Sequence, residues 1–234
     1  MQNDNIFGEI EFVRNNRAKY IVVKITATGL KVTLPPNKTQ NDAWQFIEEN
    51  KTKILAKQEK QKTKSINILN ENDKIKTLTF EILLVKVERE NIFFRLKNGL
   101  LTIEIPVETD CSREDVQMHF WEGIKYFLRK ESKRVLPERV EFLAKKFGFV
   151  FSDVKIQSSK TRWGSCSGKK SINLSFYLMF LPQELIDYVI LHELCHTKEM
   201  NHSTKFWQWM DKVTDGQSAT LRHEVKTFKM PKIY

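Results

Sequence analysis

Long apolar runs are missing from this 234-residue chain. No stretch of about 18 uncharged apolar residues occurs, which excludes a membrane-spanning helix. The opening segment, Met1 to Ile10, has neither a basic head nor an apolar stretch. An export signal is therefore not expected, and a cytoplasmic location is. Cysteine is scarce: Cys111, Cys166 and Cys195 lie far apart, with no CxxC pair. An odd count without an export signal points to reduced thiols rather than a disulfide scaffold. The sequence shows no zinc ribbon, no clean helix-turn-helix, no internal repeat and no long low-complexity linker.

What is present describes a folded chain. Hydrophobic residues make up 41% and aromatics 11%, enough to build a core and to exclude low-hydrophobicity disorder. Lys and Arg number 39 against 29 Asp and Glu, a net charge of +10. That excess permits contact with nucleic acid or another anionic surface. Its diffuse spread favours a lysine-rich solvated surface.

The first half alternates in the manner of strands over 6–13, 20–25 and 30–34, and Pro35-Pro36 stops the last of these. Over 39–64 the period changes, with Trp44, Ile47, Ile54 and Leu55 spaced for an amphipathic helix. Strand patterns return at 78–87, 92–96 and 101–105, and Asn98-Gly99 reads as a hairpin turn because both residues accept positive φ cheaply. After Pro106 the pattern is helical. Ser112 and Asp115 resemble a capping box, Pro137 opens a further helix, and Gly148 ends it. The expected fold class is α+β: a β-rich N-terminal module over 1–108 followed by a helical domain over 109–234.

One segment carries chemistry. His192-Glu193-Leu194-Cys195-His196 is a complete HExxH. On a helix, residues four apart share a face, so His192 and His196 can both reach one Zn²⁺ at about 2.0–2.1 Å. Glu193 flanks that face and can touch a water held by the metal, the place for a general base. Pro182, Gln183 and Glu184 suit the start of such a helix, and Leu185, Ile186, Val189 and Ile190 give it an apolar face. His202 follows His196 with five residues between them and is the candidate third ligand. Asn201 or Ser203 can cap a next helix bearing Phe206, Trp207, Met210 and Val213. Three histidines with an open fourth position form a recognised catalytic arrangement. Cys195 reads as a small core residue, with thiolate ligation as the alternative, and Glu199 is a minority substitute for His202.

The segments Ser159 to Ser167 (containing Arg162-Trp163-Gly164-Ser165-Cys166), Ile172-Asn173-Leu174, Leu181-Pro182, Tyr188 to His196 and Asn201-His202-Ser203-x-x-Phe206-Trp207 resemble the YgjP-like metal-dependent hydrolases. These are zincin-type metallopeptidase relatives, akin to the SprT and WLM groups. The resemblance is closest over 136–214. It implies a zincin-like domain with a short antiparallel sheet beside the HExxH helix. It also implies zinc on His192, His196 and His202, and Glu193 as catalytic acid and base. By the same resemblance, Arg162 to Ser167 and Ser171 to Leu174 form two of the strands. The segment Arg162 to Cys166 then lines the cleft, with Arg162, Gly164 and Ser165 as candidate substrate-binding residues. Gly164 allows close backbone approach, and Arg162 can hold a carboxylate or polarise a carbonyl. Tyr177 is a weaker candidate for the latter.

The expected function is zinc-dependent hydrolysis of peptide bonds in a peptide or protein substrate, by Glu-assisted attack of metal-bound water on the peptide carbonyl. Two alternatives accompany it: a DNA-associated protease acting on proteins held by nucleic acid, and a non-catalytic binding module whose zinc is structural.

Overall fold

A computed structural model describes residues 2–4, 6–26, 28–62 and 68–231. The chain forms two compact units, dividing between residues 66 and 67. In the first, strands β1 (Gln2–Asp4), β2 (Gly8–Arg14), β3 (Val22–Ile25) and β4 (Gly29–Leu34) make a sheet of order β1-β2-β4-β3. Helices α1 (Gln40–Glu49) and α2 (Lys51–Lys62) follow. Thr39 caps α1 by a capping box with Asp42, so the helix begins where the period change predicts. The expected single helix is broken at Asn50, and its residues 63–64 lie outside the described ones. Phe7, Ile10, Leu30, Val32, Leu34, Ala43, Ile47 and Ile54 are this unit's core.

The second unit begins with β5 (Ile75–Lys76), β6 (Glu81–Val87), β7 (Phe93–Lys97) and β8 (Leu100–Pro106) in the order β5-β6-β8-β7. Asn98 (φ 50°) and Gly99 (φ 73°) make the β7–β8 turn as the sequence predicts. The two sheets have the same plan: antiparallel, parallel and antiparallel pairs in the same order, then a helix. The repeat absent from the sequence pattern is thus present in the topology.

Helix α3 (Glu114–Phe147) follows, running unbroken through Pro137 to Gly148 at φ 72°. The expected Ser112–Asp115 box is not formed; Arg113 occupies the cap, without a side-chain capping bond. Ile82, Leu84, Leu101, Ile103 and Ile105 share one core with Phe120, Trp121, Ile124 and Leu128 of α3. The division expected near residue 108 therefore falls inside the second unit, because sheet and helix bury their apolar faces against each other.

The remainder frames the site. Strands β9 (Asp153–Gln157), β10 (Gly164–Cys166) and β11 (Ser171–Ser175) form a sheet of order β10-β11-β9. β10 runs antiparallel to β11 and β9 runs parallel to it, so the sheet is mixed where an antiparallel one was expected. A 3₁₀ turn (Phe176–Phe180) leads to α4 (Gln183–Cys195), α5 (Thr204–Val213) and α6 (Ser218–Thr227). The Arg139 guanidinium on α3 donates to both carboxylate oxygens of Asp187 on α4, tying the long helix to the motif helix. Among the described residues no helix is long and apolar enough to cross a membrane.

Candidate metal centre

Helix α4 carries the HExxH motif because it is apolar on nearly every side. Leu185, Ile186, Val189, Ile190, Leu191 and Leu194 are all buried. Such a helix is held deep in the core, so the polar residues within it sit at fixed positions. His192 lies in its last turn and His196 at its C-cap. The chain then turns tightly, with Lys198 and Glu199 both donating their N–H to the Cys195 carbonyl. Ser203 caps α5 by accepting from the Phe206 N–H. His202, just before that cap, is returned to the motif face.

The three imidazoles converge. One ring nitrogen from each of His192, His196 and His202 lies within 4.8 Å of the other two. His192 Nε2 and His202 Nε2 are 3.0 Å apart. Two imidazoles sharing a tetrahedral zinc would hold their nitrogens about 3.3 Å apart, so the spacing fits one bridging cation. His196 Nδ1 lies 3.1 Å from the Glu199 carbonyl oxygen. Donation there places the proton on Nδ1 and leaves the Nε2 lone pair for a metal, the usual supporting contact of a ligating histidine. Phe206 lies against all three rings, at centroid distances of 4.9, 4.6 and 4.8 Å. Trp207 stacks on His202 at 5.9 Å and 27°.

Burial gives these rings their electrostatics. His192 is pushed down to about 3, by burial first and then by His196, His202 and Arg222. His196 is also lowered, mainly by burial, with His202 adding to it and the Glu199 and Met200 carbonyls opposing. Both rings are thus neutral at pH 7, the form that ligates metal. His192 Nδ1 and the Tyr188 hydroxyl are buried without a hydrogen-bond partner among the described residues. Burial raises the Tyr188 phenol to about 12.

Glu193 is 6% exposed. Burial raises its carboxyl to about 7; the Arg162 charge and the Cys166 backbone N–H pull it the other way. The room for this carboxylate exists because residue 164 has no side chain. A Cβ on Gly164 would stand 2.7 Å from Glu193 Oε1 and 2.8 Å from its Cγ, closer than real contacts allow.

Of the residues expected to bind substrate, Arg162 and Gly164 are therefore placed at Glu193. Ser165 lies in β10 opposite Asn173, half-buried, with no side-chain contact to the histidines shown. Cys195 is fully buried, and burial holds its thiol up at about 12; it is a core residue outside the cluster. Glu199 takes part through its backbone carbonyl. Tyr177 is enclosed in the core with its ring 4.3 Å from Phe176, which removes it as a donor for an oxyanion. Arg222 is a site neighbour that the sequence pattern does not mark. Phe206 and Trp207 belong to the segment that carries the family resemblance, and their place beside the imidazoles follows from the turn at 197–203.

The YgjP-like metallopeptidase domain profile matches residues 19–226. The chain belongs to the YgjP-like metallopeptidase family. The matched span takes in part of the first compact unit and most of the second. No curated protein matches the chain. Among solved structures, the metallopeptidase zymogen of Pyrococcus abyssi abylysin is similar at 27% identity and a TM-score of 0.35, covering 38% of this chain and 92% of that one. The metallopeptidase zymogen of Methanocaldococcus jannaschii jannalysin is similar at 25% identity and a TM-score of 0.34, covering 38% and 91%.

A YgjP-like domain with this donor set should take up one equivalent of zinc. His202→Ala should weaken uptake by more than about a hundredfold, since even supporting partners of a ligand matter tenfold or more. Calorimetric titration checks it; unchanged affinity in the variant would remove His202 from the site.

Proposed function

We propose that this YgjP-like chain is a zinc-dependent peptidase, with His192, His196 and His202 holding the ion and Glu193 moving the proton. The observation that carries this reading is the pairing of three converging imidazoles with one buried carboxylate beside them. A zinc ion there would act as a Lewis acid on the scissile carbonyl and on water. Glu193, raised towards neutrality, is suited both to accept a proton from water and to deliver it to the leaving amine. Arg162 and the Cys166 N–H keep its ionised form accessible. β10 is an edge strand packed near α4, so an extended peptide can lie along its backbone as an added strand. The zincin-like description of the domain, and Arg162, Gly164 and Ser165 as its substrate-facing segment, belong to this proposal.

A structural zinc site would need a fourth protein ligand. Neither candidate for that place joins the cluster: among the described residues the ligand atoms gathered within 4.8 Å of one another come from His192, His196 and His202, and Cys195 is in the core. This favours the catalytic reading over a saturated site.

A second reading, cleavage of proteins held on nucleic acid, draws on one feature beyond net charge. Lys125, Arg129 and Lys133 occupy successive turns of α3, and the last two line an open groove of about 600 Å³ with Ile156, Gln157, Ser158 and Ser159. If nucleic acid binds there, retention on DNA should fall steeply as salt rises, and Arg129→Glu with Lys133→Glu should abolish it. Indifference of the wild-type protein to DNA would exclude the reading.

For the principal reading, Glu193→Gln should retain zinc and lose peptide hydrolysis by about 10²–10⁴-fold. Gly164→Ala, which forces the same carboxylate aside, should also retain zinc and slow hydrolysis by at least about tenfold. Zinc analysis beside a peptide-cleavage assay checks both. Full turnover in Glu193→Gln would remove the base from the mechanism.

A further inference from the structure

The rim of the histidine cluster carries a positive charge that the peptidase chemistry does not use. Helix α6 packs on both α4 and α5 and presents Arg222 to Trp207. The guanidinium carbon stands 4.7 Å from the centre of the Trp207 ring, and the same ring lies against Phe206 and stacks on His202. One indole thus touches both the Arg222 guanidinium and His202. Arg222 is exposed, and no carboxylate pairs with it among the described residues. Its charge is nevertheless felt at Tyr188 and His192.

This is an unfavourable place for an unpaired cation. The imidazoles bring no negative charge, the ion they would hold is a dication, and Arg162 adds a further positive charge beside Glu193. Glu193, the acid beside the cluster, is engaged by Arg162 and the Cys166 N–H. A cleft with such an excess is complementary to an anion. The form of the cation narrows the anion further. A guanidinium resting on an indole face is held by a cation–π contact and keeps its in-plane N–H edge for bidentate recognition, which suits a carboxylate.

We propose that Arg222, seated on Trp207 at the rim of the three-histidine cluster, binds a carboxylate of the peptide substrate. The carboxylate belongs to an acidic side chain near the cut or to the free C-terminus of a short peptide; the chemistry is shared, and the test separates the two. This proposal rests on the peptidase reading. Trp207 acts here as a positioning residue, holding the guanidinium close to the ligands.

The experiment uses the full chain loaded with zinc and carrying Glu193→Gln, so that peptides bind without being cut. Fluorescence anisotropy compares labelled peptides bearing Glu or Gln at matched positions, each with a free or an amidated C-terminus. One carboxylate should tighten binding by about tenfold, the scale of a charge-assisted hydrogen bond. The pair of peptides showing that difference identifies its source. Adding Arg222→Gln should reduce the difference to within about twofold, and Arg222→Lys should keep part of it. Equal binding of charged and neutral peptides, or a preference that survives Arg222→Gln, would overturn the proposal. A cleavage assay with the zinc-loaded parent protein separates the two failures. Cleavage of all four peptides with equal KM removes only the carboxylate site, whereas cleavage of none removes the peptidase reading and this proposal with it.

Discussion

The constraint on which the site depends is the desolvation of the motif helix. α4 is buried along most of its length, and that burial keeps His192 and His196 neutral and raises Glu193. An exposed helix with the same HExxH spacing would present the same atoms in water, with a carboxyl near its ordinary value and imidazoles that gain protons at mildly acidic pH. The sequence spacing supplies direction, and the core supplies the protonation states. Hydrophobic packing and chemistry are therefore one arrangement in this unit. The Arg139–Asp187 fork and the shared core that fix α4 also fix the electrostatics of the residues upon it.

Two small structural provisions complete the arrangement. The turn after α4 closes through the Cys195 carbonyl and sends the Glu199 carbonyl back to His196, while Ser203 begins α5 and delivers Phe206 beneath all three rings. Gly164 gives Glu193 its space, and the neighbouring Cys166 N–H meets the carboxylate. The edge strand is thus joined to the motif helix through one acid, which sets the distance between any peptide lying on β10 and the group that would serve it.

The motif helix was legible because HExxH repeats at helical spacing and its surroundings are uniformly apolar. His202 was legible because a cap residue follows it. Other features had no local signal. Pro137 reads as the start of a helix, since a proline inside one costs about 3 kcal/mol. Yet Leu136 and Val140 on either side of it are buried in one core, and that packing carries the helix through. The shared plan of the two four-stranded sheets was invisible because strand order and direction recur without a recurring residue pattern. The division of the chain was misplaced for a related reason. Alternation locates strands but does not say whether they bury their faces against the preceding helix or the following one. Arg222 lies far along the chain from the motif, and only the packing of α6 brings it to Trp207.

The central claim is that three imidazoles close on one cation and leave a position free. X-ray absorption at the metal edge of the zinc-loaded protein tests it directly. The account predicts three nitrogen neighbours at about 2.0–2.1 Å and at least one light oxygen neighbour from solvent. A sulfur neighbour at about 2.3 Å, which only a cysteine could provide, or a protein that holds no metal, would contradict it.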